Sequence, residues 1–296
     1  MLEDLKLDPA YEGFLFLAES IRNPPLLRPH HHVELEINLV AEGTIIYISE
    51  GQRFSFKKGA LLWFFPSQEH QLVDRTADAR YYVAVFKPEF IRRACRGARY
   101  ADLKKKKPPQ SGILHCDLSP QDFDRLRREM DKIIADGLDP DLLNREVGFG
   151  LSADFRYQHN DPDWLNAGLR FLLLVCWRLQ QNRGAWQGKS TVHPLVRLAL
   201  DVMTVEPNLD LAALSKQCGV SVAYLSRLFH QQIGVPLSRY RNSLRLSRFW
   251  EIYREPDRQN LTDAALAAGF GSYAQFYRVF SKSYGKNPRS IRKPVS

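Results

Sequence analysis

The sequence predicts an α+β multidomain protein: an N-terminal β-barrel, a helical segment and a C-terminal domain made only of helices. At 296 residues, with 44% hydrophobic and 25% charged residues, the chain is long enough for two cores and has a globular balance. Short strand-like segments separated by Gly-containing turns run from His32 to Phe86, whereas helical periodicity dominates from Ser119 onward. Two copies of a helix-turn-helix pattern lie in the C-terminal third.

Basic residues are concentrated in that C-terminal third. The net charge is +9, and the residues from His193 onward hold 15 Lys and Arg against 7 Asp and Glu, so the preceding part is nearly neutral. Phosphate neutralisation and counterion release supply most of the non-specific affinity of proteins for DNA. The asymmetry favours double-stranded DNA as the partner of this third, with a merely solubilising surface as the alternative.

Composition divides the chain into four segments. We expect residues 1–110 to form an N-terminal arm and the barrel, and residues 111–182 to form a helical segment. Gly and polar residues predict a linker at 183–192, which leaves 193–296 as the all-α domain. Within the first segment, Leu103–Pro109 is predicted to be an extended, solvated break, because four lysines precede two prolines.

Nothing in the sequence predicts a membrane segment, an export signal or a disulfide framework. The N-terminus lacks a basic region followed by an apolar run, and the most apolar segment, Phe171–Trp177, is far shorter than the roughly 20 residues that span a bilayer. We therefore expect a cytoplasmic protein with no membrane partner. The cysteines form no C-x-x-C pair, which predicts buried free thiols: Cys95, Cys116, Cys176 and Cys218.

A histidine-rich segment lies at the start of the predicted barrel. Side chains alternate between the two faces of an extended strand, so His30, His32, Glu34 and Glu36 share one face and His31 points to the other. Two imidazoles and a carboxylate can therefore converge on the barrel interior.

The spacing of these residues resembles the cupin motifs, although the second motif lacks its usual glycine before the histidine: His30-x-His32-x3-Glu36-x6-Gly43 and Gly59-x6-Pro66-x3-His70. His70, on a later strand, can act as a fourth ligand. This donor set suits zinc, manganese, nickel or iron, and makes a divalent metal the candidate cofactor. The same residues can instead contact a small organic effector or pack inside the barrel.

The stretch Leu261–Pro288 has the spacing of a helix-turn-helix. Ala265 and Gly269 give the small-x-x-x-Gly pattern that lets two short helices cross closely, with Thr262 as the expected N-cap of the first. Ser272 is expected to cap a second helix with apolar residues at i, i+3 and i+4. Its other face is free to enter a major groove.

A first copy of the motif lies at residues 209–233, and the second unit spans 261–285. The predicted helix 236–254 joins them, and its length of about 28 Å is close to one turn of B-DNA, about 34 Å, so that both units can enter successive major grooves. Four arginines along this helix are candidate phosphate contacts: Arg239, Arg241, Arg245 and Arg248.

The pattern A-x3-GF-x5-F-x-R-x-F-x4-G-x2-P, starting at Ala265, resembles the signature of the AraC/XylS family of bacterial transcription regulators. The sequence departs from it mainly at Ile291, where the family usually has an aromatic residue. The resemblance implies a cupin-like effector domain, helices that dimerise and base-reading positions in both units. Those positions are Ser221, Val222, Ala223, Ser226 and Arg227 in the first unit, and Ser272, Tyr273, Ala274, Tyr277 and Arg278 in the second.

The second set has the longer side chains. Arg bonds guanine in a bidentate way and Tyr contacts thymine methyl groups or phosphates, whereas Val222 and Ala223 offer only methyl contacts. We therefore expect the second unit to contribute at least half of the base reading.

The sequence thus predicts a sequence-specific transcription regulator, not an enzyme, whose effector contacts are His30, His32, Glu34, Glu36 and His70. The family resemblance implies a homodimer, sugars or related metabolites as effectors and, for an activator, contact with RNA polymerase. One alternative is a metal-dependent cupin enzyme fused to a DNA-binding domain, with His30, His32, Glu36 and His70 as ligands. Another is DNA binding without any effector.

Overall fold

The computed structural model describes residues 5, 7, 9–19, 29–108, 112–135, 159–183, 192–254, 260–284 and 287–290. Within these ranges the predicted fold class is confirmed, because a β-domain with flanking helices precedes a helical domain. Most of the predicted linker and of the N-terminal arm, and Ile291, lie outside the described residues. None of the described helices is both long and apolar enough to cross a membrane.

Antiparallel strands form two sheets in the N-terminal domain. The five-stranded sheet has the order β1-β7-β2-β5-β8, and the three-stranded sheet has the order β4-β3-β6. The strands are β1 Gly13–Glu19, β2 Leu35–Glu42, β3 Thr44–Ser49, β4 Gln52–Lys57, β5 Ala60–Phe64, β6 His70–Arg75, β7 Arg80–Phe86 and β8 Leu114–Asp117.

The helices of this domain are α1 Pro88–Ala94, α2 Pro120–Ala135 and α3 Pro162–Arg183, and α2 and α3 pack against β1 of the five-stranded sheet. Strand β5 is buried on both faces, which explains its continuous apolar sequence, whereas β2 is equally buried but includes the polar residues Glu36 and Asn38. Ile37 pairs with Trp63, which contacts Trp177 of α3 with ring centroids 5.2 Å apart. Glu36 pairs with Phe64, whose ring stacks on His70 inside the barrel.

Two details of the barrel segment differ from the prediction. Strand β8 pairs with β5, so the sheet continues beyond the expected boundary at residue 110. Leu103–Pro109 is not extended throughout, because Ala98–Lys104 forms a 3-10 helix in which Leu103 is 1% exposed. Burial of Leu103 in the barrel core outweighs the tendency of the neighbouring lysines to stay in solvent. The four cysteines are free and buried, as expected.

The C-terminal domain consists of short helices with two similar turns. The helices are α4 Pro194–Val205, α5 Leu211–Gln217, α6 Val222–Ile233, α7 Leu237–Arg254, α8 Leu261–Ala267 and α9 Tyr273–Tyr284. Both helix-turn-helix turns contain a left-handed glycine, Gly219 with φ +69° and Gly269 with φ +93°. The helix pairs α5–α6 and α8–α9 are therefore two copies of one motif, and α7 joins them.

A serine caps each recognition helix, as the sequence predicts for Ser272. Ser221 Oγ accepts a hydrogen bond from the backbone N–H of Tyr224 at 3.3 Å, and Ser272 Oγ accepts one from Gln275 at 3.1 Å. The expected cap Thr262 is wrong. Asn260 caps α8 instead, and its Oδ1 accepts from the backbone N–H groups of Thr262 at 3.0 Å and Asp263 at 2.9 Å.

Candidate functional site

The histidine-rich segment reaches the barrel interior without being a regular strand. Strand β2 begins only at Leu35, and His30 is held by a two-residue bridge to β6, with hydrogen bonds of 3.1 and 2.9 Å to and from the backbone of His70. The expected alternation still appears in the burial. His30, His32, Glu34 and Glu36 are buried, whereas His31 is partly exposed.

Two of the predicted histidines converge on one carboxylate oxygen of Glu36. His32 Nε2 lies 3.0 Å and His70 Nε2 3.9 Å from Glu36 Oε2. His30 is beside them, with its ring centroid 4.3 Å from that of His70. Glu34 is at the edge, where its Oε2 lies 3.6 Å from His32 Nδ1. All five predicted effector residues are therefore neighbours, and His32, Glu36 and His70 are close enough to hold a metal ion.

Burial and mutual charge set the protonation of this cluster. Burial alone would raise the pKa of Glu36, but the hydrogen bond from His32 and the charges of His70, His32 and His30 outweigh it and lower the pKa to about 2. Burial, together with the charge of His30, lowers the pKa of His70 well below its usual value. At neutral pH, Glu36 is therefore a carboxylate and His70 a neutral imidazole.

Two further polar residues of the interior, Asn38 and Tyr47, are not part of the cupin-like motif. Asn38 is fully buried, and its Nδ2 donates to Glu36 Oε1 at 2.9 Å and to the Tyr47 hydroxyl at 3.2 Å. Among the described residues, no partner satisfies Asn38 Oδ1, which makes it a candidate acceptor for a ligand. The sequence did indicate Asn38. It lies two residues after Glu36, so both side chains point to the same face of the strand, and its neighbours along the chain are apolar.

The outer face of the three-stranded sheet packs against the first helix-turn-helix unit. Gln71, the residue after His70, donates a hydrogen bond to the hydroxyl of Tyr240 on α7. Asp74 forms an ion pair with Arg239 on the same helix, with 3.1 Å between Oδ1 and the guanidinium nitrogen. Arg53 on β4 donates to the backbone carbonyl of Ile233, the last residue of α6, at 3.0 Å.

Apolar residues complete this interface. Ile48 of β3 and Val73 of β6 are buried in the same cluster as the core of the first unit. Val73 lies at a bulge, because Tyr47 pairs with Leu72 while Ile46 pairs with Asp74. The barrel thus supplies part of the core of the first unit.

Two of the predicted phosphate contacts have partners within the protein. Arg239 is engaged with Asp74 of the barrel. Arg241 is only 6% exposed and donates a hydrogen bond to the backbone carbonyl of Leu209. Burial of a guanidinium with a backbone partner indicates a structural role for Arg241. The exposed Arg239 and the half-buried Arg245 and Arg248 stay as candidates on this helix.

Most of the predicted base-reading side chains lie on exposed helix faces. In the first unit, Ser226 is half-buried and the others are exposed: Ser221, Val222, Ala223 and Arg227. In the second unit, Tyr273 is half-buried and packs against Phe276, and the others are exposed: Ser272, Ala274, Tyr277 and Arg278. Tyr224, which the motif alignment omits, is 41% exposed on α6 and gives the first unit a long side chain.

Family models match both halves of the chain. The AraC-like ligand binding domain matches residues 22–138, and a helix-turn-helix domain matches residues 214–294. The chain belongs to the AraC/XylS family of transcription regulators. For this AraC/XylS protein, the histidine cluster and β6 fall inside the ligand-binding match, and α6 to α9 fall inside the helix-turn-helix match. The contact between Gln71 and Tyr240 joins the two matched regions.

Individual relatives match only part of this AraC/XylS chain. The HTH-type transcriptional activator RhaS of Klebsiella pneumoniae is 32% identical over 80 residues, which is 27% of this chain and 28% of that protein. The HTH-type transcriptional regulator GlxA of Rhizobium meliloti is 29% identical over 105 residues, or 35% of this chain and 32% of that protein. The chain therefore matches less than a third of the length of these relatives. A solved structure of ToxT from Vibrio cholerae covers 93% of this chain and 95% of its own, with 11% identity and a TM-score of 0.34.

Proposed function

We propose that this AraC/XylS regulator binds a small-molecule effector inside the barrel and changes its DNA binding in response. The proposed effector contacts are His30, His32, Glu34, Glu36 and His70, with Asn38 added because its buried Oδ1 lacks a partner among the described residues. These polar groups line an otherwise apolar interior, which is the usual composition of a small-molecule site. Their hydrogen-bonding capacity favours a hydroxyl-rich effector such as a sugar or a related metabolite.

The observation that carries the proposal is the position of two consecutive residues on β6. His70 belongs to the interior cluster, whereas Gln71 contacts Tyr240 of the DNA-binding domain. Consecutive side chains of a strand point to opposite faces, so an effector that moves His70 also acts on the strand segment that holds Gln71. An effector shifts an arrangement only if it binds the two arrangements with different affinity. Because β6 contacts both the interior cluster and Tyr240, an effector bound to the cluster can favour one arrangement of the DNA-binding domain over the other.

DNA recognition is assigned to the exposed faces of α6 and α9. We propose that Arg227 and Arg278 read bases or hold phosphates, with Tyr277 and Tyr224 beside them. The remaining contacts are the smaller or half-buried residues of the two predicted sets: Ser221, Val222, Ala223, Ser226, Ser272, Tyr273 and Ala274. Side chains with several donors discriminate bases best, so we expect the arginines to carry most of the specificity.

The proposed partners include a second copy of the chain and RNA polymerase. On α3, Trp164 is 47% and Phe171 is 43% exposed, and their separation of seven residues places them on one helix face. We propose that this face forms a homodimer. The relative RhaS is named a transcriptional activator, and we propose the same role, with contact to RNA polymerase, for this chain.

A metal-dependent enzyme fused to a DNA-binding domain is the second candidate. The convergence of His32, His70 and Glu36 favours it, because two imidazoles and a carboxylate with an open position form catalytic metal sites. Removal of metal separates the two candidates. A chelator-treated protein that still responds to its effector in DNA binding would exclude the enzyme.

Operator binding of the full-length protein tests the proposal. An operator is first selected from a random DNA pool, and sugars and related metabolites are screened by thermal shift, since specific binding raises stability. We expect a ligand that raises Tm to change operator affinity about fivefold or more, the usual range of coupling between sites. His70→Gln should abolish this response, whereas His31→Gln, the control, should retain it. If a ligand stabilises the protein but does not change its affinity for the operator, the effector does not control DNA binding and the proposal is wrong.

A further inference from the structure

The loop between α4 and α5, residues 206–210, is anchored in the first helix-turn-helix unit. The backbone N–H of Leu209 donates to the carbonyl of Glu206 at 3.1 Å, which closes the loop into a turn. Leu209 packs against the core of the first unit. Asp210 caps α5, because its Oδ1 accepts a hydrogen bond from the N–H of Ala213 at 2.7 Å. The position of the loop is therefore fixed relative to the first unit.

The same loop is also held to the connecting helix α7. The guanidinium of Arg241 donates a hydrogen bond to the backbone carbonyl of Leu209, and Arg241 is only 6% exposed. Burial lowers the pKa of Arg241, as does the charge of Arg245, whereas the carboxylate of Asp210 opposes this shift. The loop thus has a buried polar contact with α7 in addition to its contacts with the first unit.

The tip of the loop lies against the turn of the second unit. Gly269 has φ +93°, and a Cβ atom added to it would lie 2.7 Å from Cγ of Asn208 and 3.5 Å from its Cβ, with Oδ1 nearer still. The Asn208 side chain therefore occupies the space beside the turn glycine of the second unit. Gly219 is the matching glycine of the first unit, and no atom of the described residues lies within 4 Å of a Cβ atom added there.

A further contact restricts how the two units move relative to each other. The first half of α7 packs in the core of the first unit and its second half in the core of the second. Helices bend gently, so a connection through α7 alone leaves some freedom in the angle between the units. Each base pair between two half-sites turns one of them by about 34° and shifts it by about 3.4 Å, so this angle decides which spacing fits.

We propose that Asn208 is a positioning residue that sets which spacing between two operator half-sites the protein accepts. Through its contact with Gly269, Asn208 holds α9 in one orientation relative to α6. Two linked DNA-binding units gain most affinity when their separation matches that of their sites, whereas a more flexible link tolerates other separations. The inference rests on DNA binding by both units and does not depend on an effector in the barrel.

Operators with altered spacing test this role of Asn208. An operator is selected from a random DNA pool with the full-length wild type, and single-base variants locate the two groups of bases that the protein reads. One base pair is then inserted or deleted between these groups, and affinities are measured by fluorescence anisotropy. We expect the altered spacing to cost the wild type about tenfold or more in affinity, the scale of a mismatched base pair. Asn208→Ala should reduce this loss to about threefold or less, with an unchanged Tm, because it loosens the link between the units.

Substitutions of the two turn glycines give a matched control. Gly269→Ala and Gly219→Ala both place alanine in a left-handed conformation, so both should lower Tm. Only Gly269→Ala displaces the Asn208 side chain, so it should reduce the spacing loss as Asn208→Ala does. The double variant should show no further reduction, because both changes act on one contact. Gly219→Ala should keep the spacing loss of the wild type.

Three results would overturn the inference: equal binding of both spacings by the wild type, an undiminished spacing loss in Asn208→Ala, or the same reduction in Gly219→Ala as in Gly269→Ala. Asn208 is exposed and lies outside the helices, so Asn208→Ala decides the question if the glycine variants do not fold. A selected operator with a single group of read bases would contradict base reading by both units as well. Failure of the proposed DNA recognition is thereby distinguished from failure of the role of Asn208 alone.

Discussion

The two helix-turn-helix units share a backbone design but differ in how their cores are completed. Both have a left-handed glycine in the turn and a serine cap on the recognition helix. The core of the first unit includes Ile48 and Val73 of the barrel. In the part of the chain that the structure describes, the core of the second unit holds no barrel residue, and is built from the aromatic residues Phe249, Trp250, Tyr253, Phe270, Phe276, Phe280 and Tyr284 with small residues of α8.

This difference between the two cores shows how one motif can serve two roles. A unit whose core is shared with the ligand-binding barrel is held in an orientation that depends on the barrel. A unit with its own core depends less on the barrel for its fold. The barrel still acts on it, because burial raises the pKa of Tyr284 and the charge of Arg75 in the barrel opposes that rise. We infer that the first unit is the regulated half of the DNA-binding domain and the second unit the constant half.

Truncating one buried phenylalanine in each unit gives the largest expected effect. Phe229 and Phe276 are both fully buried, one in each core, so Phe229→Ala and Phe276→Ala should each cost about 3 to 5 kcal/mol of unfolding free energy. Hydrogen exchange distinguishes them: Phe229→Ala should deprotect β3 and β6 together with α6, whereas Phe276→Ala should deprotect α8, α9 and the second half of α7 but no barrel strand. Equal deprotection of the barrel strands in both variants would remove the distinction between the units.

The recognition arginines test the division of base reading. Arg278→Ala should lower affinity for the selected operator by about 1 to 3 kcal/mol and relax specificity at one position if the guanidinium reads a base. Arg227→Ala is the matched change in the first unit. Fluorescence anisotropy on the operator and on single-base variants separates base readers from phosphate contacts, which lose affinity equally on all sequences. A loss for Arg227→Ala greater than that for Arg278→Ala would contradict the expectation that the second unit contributes at least half.

One buried hydrogen bond in each unit can be removed by the same substitution. Tyr240 accepts from Gln71 of the barrel, and Tyr284 accepts from Trp250 Nε1 at 3.1 Å. Tyr240→Phe and Tyr284→Phe each leave a buried donor unsatisfied, so both should cost about 1 to 2 kcal/mol in thermal or denaturant unfolding. Only Tyr240→Phe should also weaken the effector response in operator binding. An equal change of response in both variants would show that the contact with β6 is not the route.

The ion pair between Asp74 and Arg239 should contribute least. Burial raises the pKa of Asp74, against the lowering effect of Arg239, so the folded state binds the proton of this carboxyl more tightly than the unfolded chain does. The contribution of Asp74 to the free energy of unfolding therefore decreases as the pH rises from the pKa of this carboxyl in the unfolded chain to its pKa in the folded protein. Arg239 is 60% exposed, and we expect Asp74→Asn to change the unfolding free energy by less than about 1 kcal/mol at neutral pH. A larger loss in urea unfolding would make the pair a principal interdomain contact.

Local patterns predicted much of the fold and of the site. The alternation of side chains along an extended chain correctly predicted that four residues face the barrel interior: His30, His32, Glu34 and Glu36. The prediction holds although strand β2 begins only at Leu35, because side chains alternate in an extended segment even where it is not paired in a sheet. The cap Ser272 and the turn glycine Gly269 predicted the start of the second recognition helix, and the repeated motif predicted the first. The prediction of Thr262 as a cap was wrong, since Asn260 is a better cap and its side chain accepts from the N–H of Thr262 itself.

The interface between barrel and first unit could not be predicted in this way. Gln71 and Tyr240 are 169 residues apart in the chain, and Arg53 and Ile233 are 180 apart, so no local periodicity relates them. Tertiary packing also pairs Arg239 with Asp74 of the barrel and buries Arg241 against the backbone of Leu209, and no local pattern predicted either partner. A charged residue on a helix gives no sign in the sequence of whether solvent, DNA or another domain faces it.

Hydrogen exchange of the two recognition helices in the full chain tests most directly whether the barrel holds the first unit and not the second. The wild type is compared with a variant in which the polar interdomain contacts are removed by Arg53→Ala, Gln71→Ala and Arg239→Ala. We predict faster amide exchange in α6 and the first half of α7, with exchange in α9 unchanged. Equal acceleration in α6 and α9, or none in either helix, would contradict the division into a regulated and a constant unit.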